Sequence, residues 1–77
     1  MFEKIVEIIA DKLVLSDEKI EKITLETNVL DDLNADSLEI VEILMALDDT
    51  FGVNVPDEDV PTLKTVKDIV DYVEKHQ

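Results

Sequence analysis

Turn punctuation is scarce in this chain, with one glycine and two prolines among 77 residues. A strand-rich fold of this size needs more reversals than that, so the balance favours an all-α architecture. The helices have no covalent ties, because the chain has no Cys and so no disulfide or thiolate metal site. That absence fits a reducing compartment. A chain this short buries only about 60–65% of the surface its unfolded form exposes. The core must come from apolar residues, 45% of the chain and mostly Ile, Val and Leu. One domain over residues 1–77 is expected. No apolar run approaches the roughly 18–20 residues of a membrane span. Met1-Phe2-Glu3-Lys4 carries an acid where a signal peptide has its basic region. A soluble, cytoplasmic protein is therefore expected.

The net charge of −13 is unevenly laid out. Residues 1–22 hold four Lys against six acids, and residues 64–77 three against three. Residues 23–63 hold eleven acids and no basic residue. Such a surface argues against nucleic acid and against stable association with anionic membranes. It favours partners with basic patches, found quickly by electrostatic steering. A plainer alternative is a solvated surface that keeps the protein soluble, although solubility does not require bases to be excluded from one segment. Self-repulsion on this scale suggests a monomer.

Phe2, Val6, Ile9 and Leu13, with Ile5 and Ala10 alongside, form one apolar stripe at helical spacing over residues 2–15. Residues 16–36 are mixed, and predict a long connection with a short turn of helix. A connection of this length is usually functional or disordered. Asp36 and Glu39 stand at the spacing of a capping box, which puts Ser37 at the first helical position with its hydroxyl not needed for the cap. That helix runs to about Thr50 or Phe51, with Gly52 as its stop. Val53-Asn54-Val55 reads as extended, and Pro56-Asp57 as the start of a short helix limited by Pro61. Thr65 caps a last helix with Val66, Ile69, Val70 and Val73 on its buried stripe. The expectation is a small four-helix bundle of three longer helices and one short one, with a long loop between the first two.

Projected at about 100° per residue, Ile40, Ile43, Leu44, Leu47 and Phe51 fall on one side of the helix begun by Ser37. Leu38 and Met45 fall opposite, with Val41 on the shoulder and Glu42, Asp48 and Asp49 around them. Exposed Leu and Met are ordinary on protein surfaces. An apolar pair rimmed by acids beside Ser37 also has the form of a docking surface. Catalytic chemistry is thin: the single His, His76, is penultimate, so no Ser-His-Asp triad can be assembled. No Gly-rich loop is present to cradle a phosphate. Asp31-Asp32 and Asp57-Glu58-Asp59 lack calcium-loop spacing, so no specific metal is expected. The chain reads as a non-enzyme. A serine at a helix start is often only a cap, but here Asp36 supplies that cap.

Asp31-Asp32-Leu33-Asn34-Ala35-Asp36-Ser37-Leu38-Glu39 resembles the modification-site signature of acyl carrier proteins. The similarity continues through Val41-Glu42, Leu44-Met45-Ala46-Leu47, Phe51, Val55-Pro56-Asp57-Glu58-Asp59, Thr65-Val66 and Asp71-Tyr72-Val73, and so spans essentially the whole chain. Asp-Ser-Leu is a weak motif alone but strong in this setting. The pattern looks most like the stand-alone bacterial carrier of fatty acid synthesis.

The resemblance implies a 4′-phosphopantetheine arm on Ser37, flanked by Asp36 and added from coenzyme A by a phosphopantetheinyl transferase. Growing acyl chains would ride the arm as thioesters, so the reactive sulfur arrives with the cofactor. It further implies that fatty-acid-synthesis enzymes with basic patches dock on Leu38, Glu39, Val41, Glu42, Met45, Asp48 and Asp49. An acyl chain would enter a cavity lined by Val29, Ile43, Leu47, Val60 and Leu63. The same five residues also read as plain core. Three departures stand out. Asn34 replaces a usual Gly, and Asn tolerates left-handed backbone. Pro61 stands where an acid is common. Asp48-Asp49-Thr50 has one acid fewer than usual. Alternatives are a polyketide, peptide or D-alanine carrier, or an unmodified acidic helical module that binds a basic protein.

Overall fold

Apolar spacing builds the first helix without a side-chain N-cap, whereas a capping box and a buried stripe coincide at the third. The computed structural model describes residues 1–76. Helix α1 spans Phe2–Leu13 and buries Ile5, Val6, Ile8 and Ile9. It ends two residues short of the apolar pattern. Val14 turns left-handed at φ 52° and ψ 56°, and the Leu15 amide reaches back to the Ala10 carbonyl at 3.1 Å. The short turn predicted in the connection is α2, Asp17–Glu21, whose N-cap Ser16 accepts from the Lys19 amide at 3.3 Å.

Hydrogen bonds give the rest of the connection its shape. Asn28 Oδ1 accepts the amides of Leu30 and Asp31, both at 2.9 Å. Asp32 Oδ2 accepts the Asn28 amide at 2.8 Å. Residues 25–29 also pair with the entry to the last helix: the Val29 amide donates to the Lys64 carbonyl, the Val66 amide to Thr27, and the Lys67 amide to Leu25. Val29 and Ala35 are buried, which pins the loop at both ends of its final stretch.

Helix α3, Ser37–Phe51, buries Ile43 and Leu47 and half-buries Ile40, Leu44 and Phe51. Gly52 ends it at φ 70°, a left-handed conformation that costs glycine no Cβ clash. The short helix predicted from Pro56–Asp57 does not form as an α-helix. A turn is followed by a 3-10 segment, Val60–Thr62, with Pro61 inside its first turn rather than beyond its end. The missing N–H of proline is harmless there, whereas its ring clashes with the carbonyl four residues earlier in a continuing α-helix. Bonds of i→i+3 type, Asp59 amide to Pro56 and Val60 amide to Asp57, replace the α pattern.

Helix α4, Val66–His76, buries Val66, Ile69, Val70 and Val73. Helix α1 packs on both α3 and α4, and the core also takes in Ile23, Val29, Val53 and Leu63. Tyr72 Oη donates to Asp59 Oδ2 at 2.9 Å, tying α4 to the 53–63 segment. No helix among the described residues is long and apolar enough to cross a membrane.

Candidate modification site and docking face

The backbone turns left-handed at Asn34, φ 56°, then buries Ala35 and lifts Asp36 to the head of α3. Asp36 Oδ1 accepts the Glu39 amide at 2.8 Å, and Glu39 Oε1 accepts the Asp36 amide at 3.1 Å. This reciprocal box engages the Asp36 and Glu39 amides without using the Ser37 hydroxyl. Ser37 is exposed, and among the described residues its hydroxyl makes no protein hydrogen bond. As first and second helical residues, Ser37 and Leu38 also leave their amides without intrahelical acceptors.

Beside this hydroxyl lies an apolar groove of about 250 Å³ lined by Leu30, Ser37, Ile40, Val41, Val60, Pro61 and Leu63. Of the five residues predicted to line an acyl cavity, Val60 and Leu63 border this groove. Val29, Ile43 and Leu47 are at most 1% exposed and belong to the packed core behind it. Leu30, Ile40 and Pro61 were not anticipated. Pro61 carried a signal as a departure from the family pattern, whereas nothing in the mixed segment 16–36 singles out Leu30. Ile40, which the helical projection places on the core face, borders the groove as well.

On the outer side of α3, Leu38 is 67%, Val41 48% and Met45 63% exposed. Glu42, Asp48 and Asp49 are exposed around them. Glu39 is half-buried and held in the capping box, so its carboxylate is less free than the others. A second notch of about 210 Å³ lies between α3 and the 54–60 segment, with Val41, Leu44, Met45, Val55 and Val60 as apolar lining and Asp48 and Asp57 as its only charges. No group of His, Cys, Asp and Glu suited to a metal ion occurs among the described residues.

A hydroxyl free at a helix head, an apolar groove at its foot and an acidic, greasy-centred flank have the form of a carrier, a protein that holds a tethered group. The family model described as "Phosphopantetheine attachment site" matches residues 3–73. The chain is 49% identical over 76 residues to the acyl carrier protein of Clostridium perfringens (strain 13 / Type A), covering 99% of this chain and 96% of that one. It is 53% identical over 74 residues to that of Syntrophobacter fumaroxidans, covering 96% and 88%. With that of Thermosynechococcus vestitus it shares 45% over 73 residues, covering 95% and 86%. The chain belongs to the acyl carrier protein family, its cofactor is phosphopantetheine and its role is that of an acyl carrier. The residues present fit that cofactor: a free primary hydroxyl can accept a phosphodiester, and the apolar groove beside it can shelter an attached chain.

Proposed function

We propose that Ser37 Oγ carries the 4′-phosphopantetheine arm, and that residues 1–77, a single carrier domain, bear growing fatty acyl chains among the separate cytoplasmic enzymes of fatty acid biosynthesis. The observation that carries this reading is the uncommitted hydroxyl of Ser37, left free because Asp36 and Glu39 cap the helix between themselves. The arm supplies a terminal thiol that holds the acyl group as a thioester. The protein supplies the anchor, two free amides at the helix head that favour the diester's negative charge, and apolar shelter. Burial of a chain is favourable by about 0.8 kcal/mol per CH₂. Val60 and Leu63 border the groove, and Leu63 shares the core cluster with Val29, Ile43 and Leu47, small aliphatic residues among which an acyl chain can be accommodated as the helices part.

Leu38, Val41 and Met45 form the apolar centre of the enzyme-docking face, and Glu42, Asp48 and Asp49, with Glu39 at the edge, steer basic partners to it. The carrier acts as a monomer and catalyses nothing itself. Incubation with coenzyme A and a phosphopantetheinyl transferase is expected to add one arm to the wild-type mass and none to Ser37→Ala. An arm on Ser37→Ala, or none on the wild type, overturns the assignment. Acyl groups recovered from the arm in cells identify the pathway, and aminoacyl or polyketide cargo would replace fatty acid synthesis.

A further inference from the structure

We propose that the docking surface continues off α3 into the groove between α1 and α3, and that this groove receives one lysine or arginine side chain of the docking enzyme. The proposal rests on the reading that α3 docks enzymes, the transferase that modifies Ser37 among them. The groove, about 370 Å³, has Ile8, Met45 and Ala46 along it and Asp11, Lys12, Glu42, Asp49 and Thr50 around them. A second hollow shares Ile8, Asp11 and Thr50 with it and extends it toward Lys4 and Glu7.

Charge and shape select the occupant. Three carboxylates stand against one ammonium, and Lys12 Nζ already lies 3.9 Å from Asp11 Oδ2. That is the one ion pair among the described residues, so Glu42 and Asp49 have no cationic partner. They are seven residues apart on one face of α3, roughly 10 Å along the axis, with Met45 and Ala46 between them. An apolar step flanked by unpaired carboxylates matches a long basic side chain, whose aliphatic stem lies on apolar surface while its head seeks charge. An anion is repelled there, and the carboxylates do not form a metal-binding group.

Position links the groove to the carrier's work. Met45 belongs both to the exposed ridge with Leu38 and Val41 and to the groove. Along α3, Met45 is roughly 12 Å and Thr50 roughly 20 Å from Ser37. An ordinary interface covers about 800 Å² per partner, enough to reach from Ser37 to the groove when centred on the ridge. An enzyme that touches Ser37 and the ridge therefore overhangs α1.

The test measures kcat/KM of a phosphopantetheinyl transferase for the apo chain by intact mass at low salt. Asp11→Lys reverses a charge found only on the α1 wall, and Thr50→Tyr fills the groove without changing charge. Glu74→Lys on α4 makes the same charge change away from the groove. Asp11→Lys and Thr50→Tyr are each expected to lower kcat/KM about three- to tenfold, and Glu74→Lys less than twofold. An Asp11→Lys effect no larger than that of Glu74→Lys, or a Thr50→Tyr variant as active as wild type, overturns the proposal. Asp48→Lys, in the notch on the other flank of α3, separates the two readings. If it weakens modification while the groove variants do not, only the groove falls. If it too is silent, the docking face itself falls.

Discussion

Val14 and Asn34 both hold left-handed backbone, at φ 52° and 56°, and only one of them is suited to it. Asn visits this region routinely, whereas an ordinary L-residue pays about 1–2 kcal/mol to be there, and a β-branched one is a genuine outlier. Val14 is also 86% exposed, so packing returns little of that cost. Val14→Gly is therefore expected to stabilise the protein, net of glycine's own entropy loss of roughly 0.5–1 kcal/mol. That is a rise of a few degrees in Tm for a domain of this size, read by thermal denaturation; an unchanged or lower Tm would show that the turn is unstrained. The turn before Ser37 was legible because Asn34 marks it. The end of α1 was not, because Leu13-Val14-Leu15 continues the apolar pattern and carries no Gly or Asn to show where the backbone reverses. The free hydroxyl of Ser37 was legible for a local reason: its neighbours Asp36 and Glu39 stand at capping-box spacing, which needs no knowledge of the fold.

At the scale of the elements, the caps do the defining, and α4 shows what one is worth. Thr65 Oγ1 accepts the Asp68 amide at 3.1 Å, and Asp68 Oδ2 accepts the amides of Thr65 and Lys64, both at 3.1 Å. The Thr65 amide holds the Asp68 carboxyl below its ordinary 3.8, partial burial opposes this, and the Lys64 amide, the Thr65 side chain and the Lys64 charge add to the lowering. A carboxyl depressed in the folded state stabilises fully above its unfolded value and loses that contribution as pH falls through the folded one. Asp68→Ala is thus expected to cost about 1 kcal/mol at pH 7, with the gap to wild type closing below pH 3.8. Urea melts at pH 7 and pH 2.5 check this, and Asp68→Asn controls for the removed charge. A gap of equal size at both pH values would assign the loss to something other than ionised Asp68. The two faces of α3 and its stop at Gly52 were readable from spacing alone. The course of residues 53–63 was not, since a proline can open one helix or close another. Its site here follows from the pairing of residues 27–29 with 64–66, far apart in sequence.

The whole molecule sets the same charges two opposed tasks. Eleven acids without a base between residues 23 and 63 repel one another in the folded chain, and on the function proposed above those on α3 attract basic enzymes. This asymmetry was plain in the sequence. The grooves were not, because which side chains meet across α1, α3 and the 53–63 segment depends on packing. Screening acts on both tasks at once. The Debye length shrinks from about 30 Å at 0.01 M salt to about 10 Å at 0.1 M, spanning the dimensions of a molecule measuring 30 × 23 × 20 Å. Raising NaCl from 0.01 to 0.5 M is therefore expected to raise Tm by several degrees as self-repulsion fades. Over the same range, kcat/KM of the transferase is expected to fall about tenfold or more as steering is lost. Magnesium should give the same pair of responses at far lower concentration. The opposed slopes carry the argument, because a chain whose acids served solubility alone would gain stability with salt and lose no encounter rate. A double variant, Glu42→Lys with Asp48→Lys, is expected to flatten the kinetic slope while keeping part of the thermal one. Its kinetic slope remaining as steep as that of the wild type would place the steering charges elsewhere than on α3.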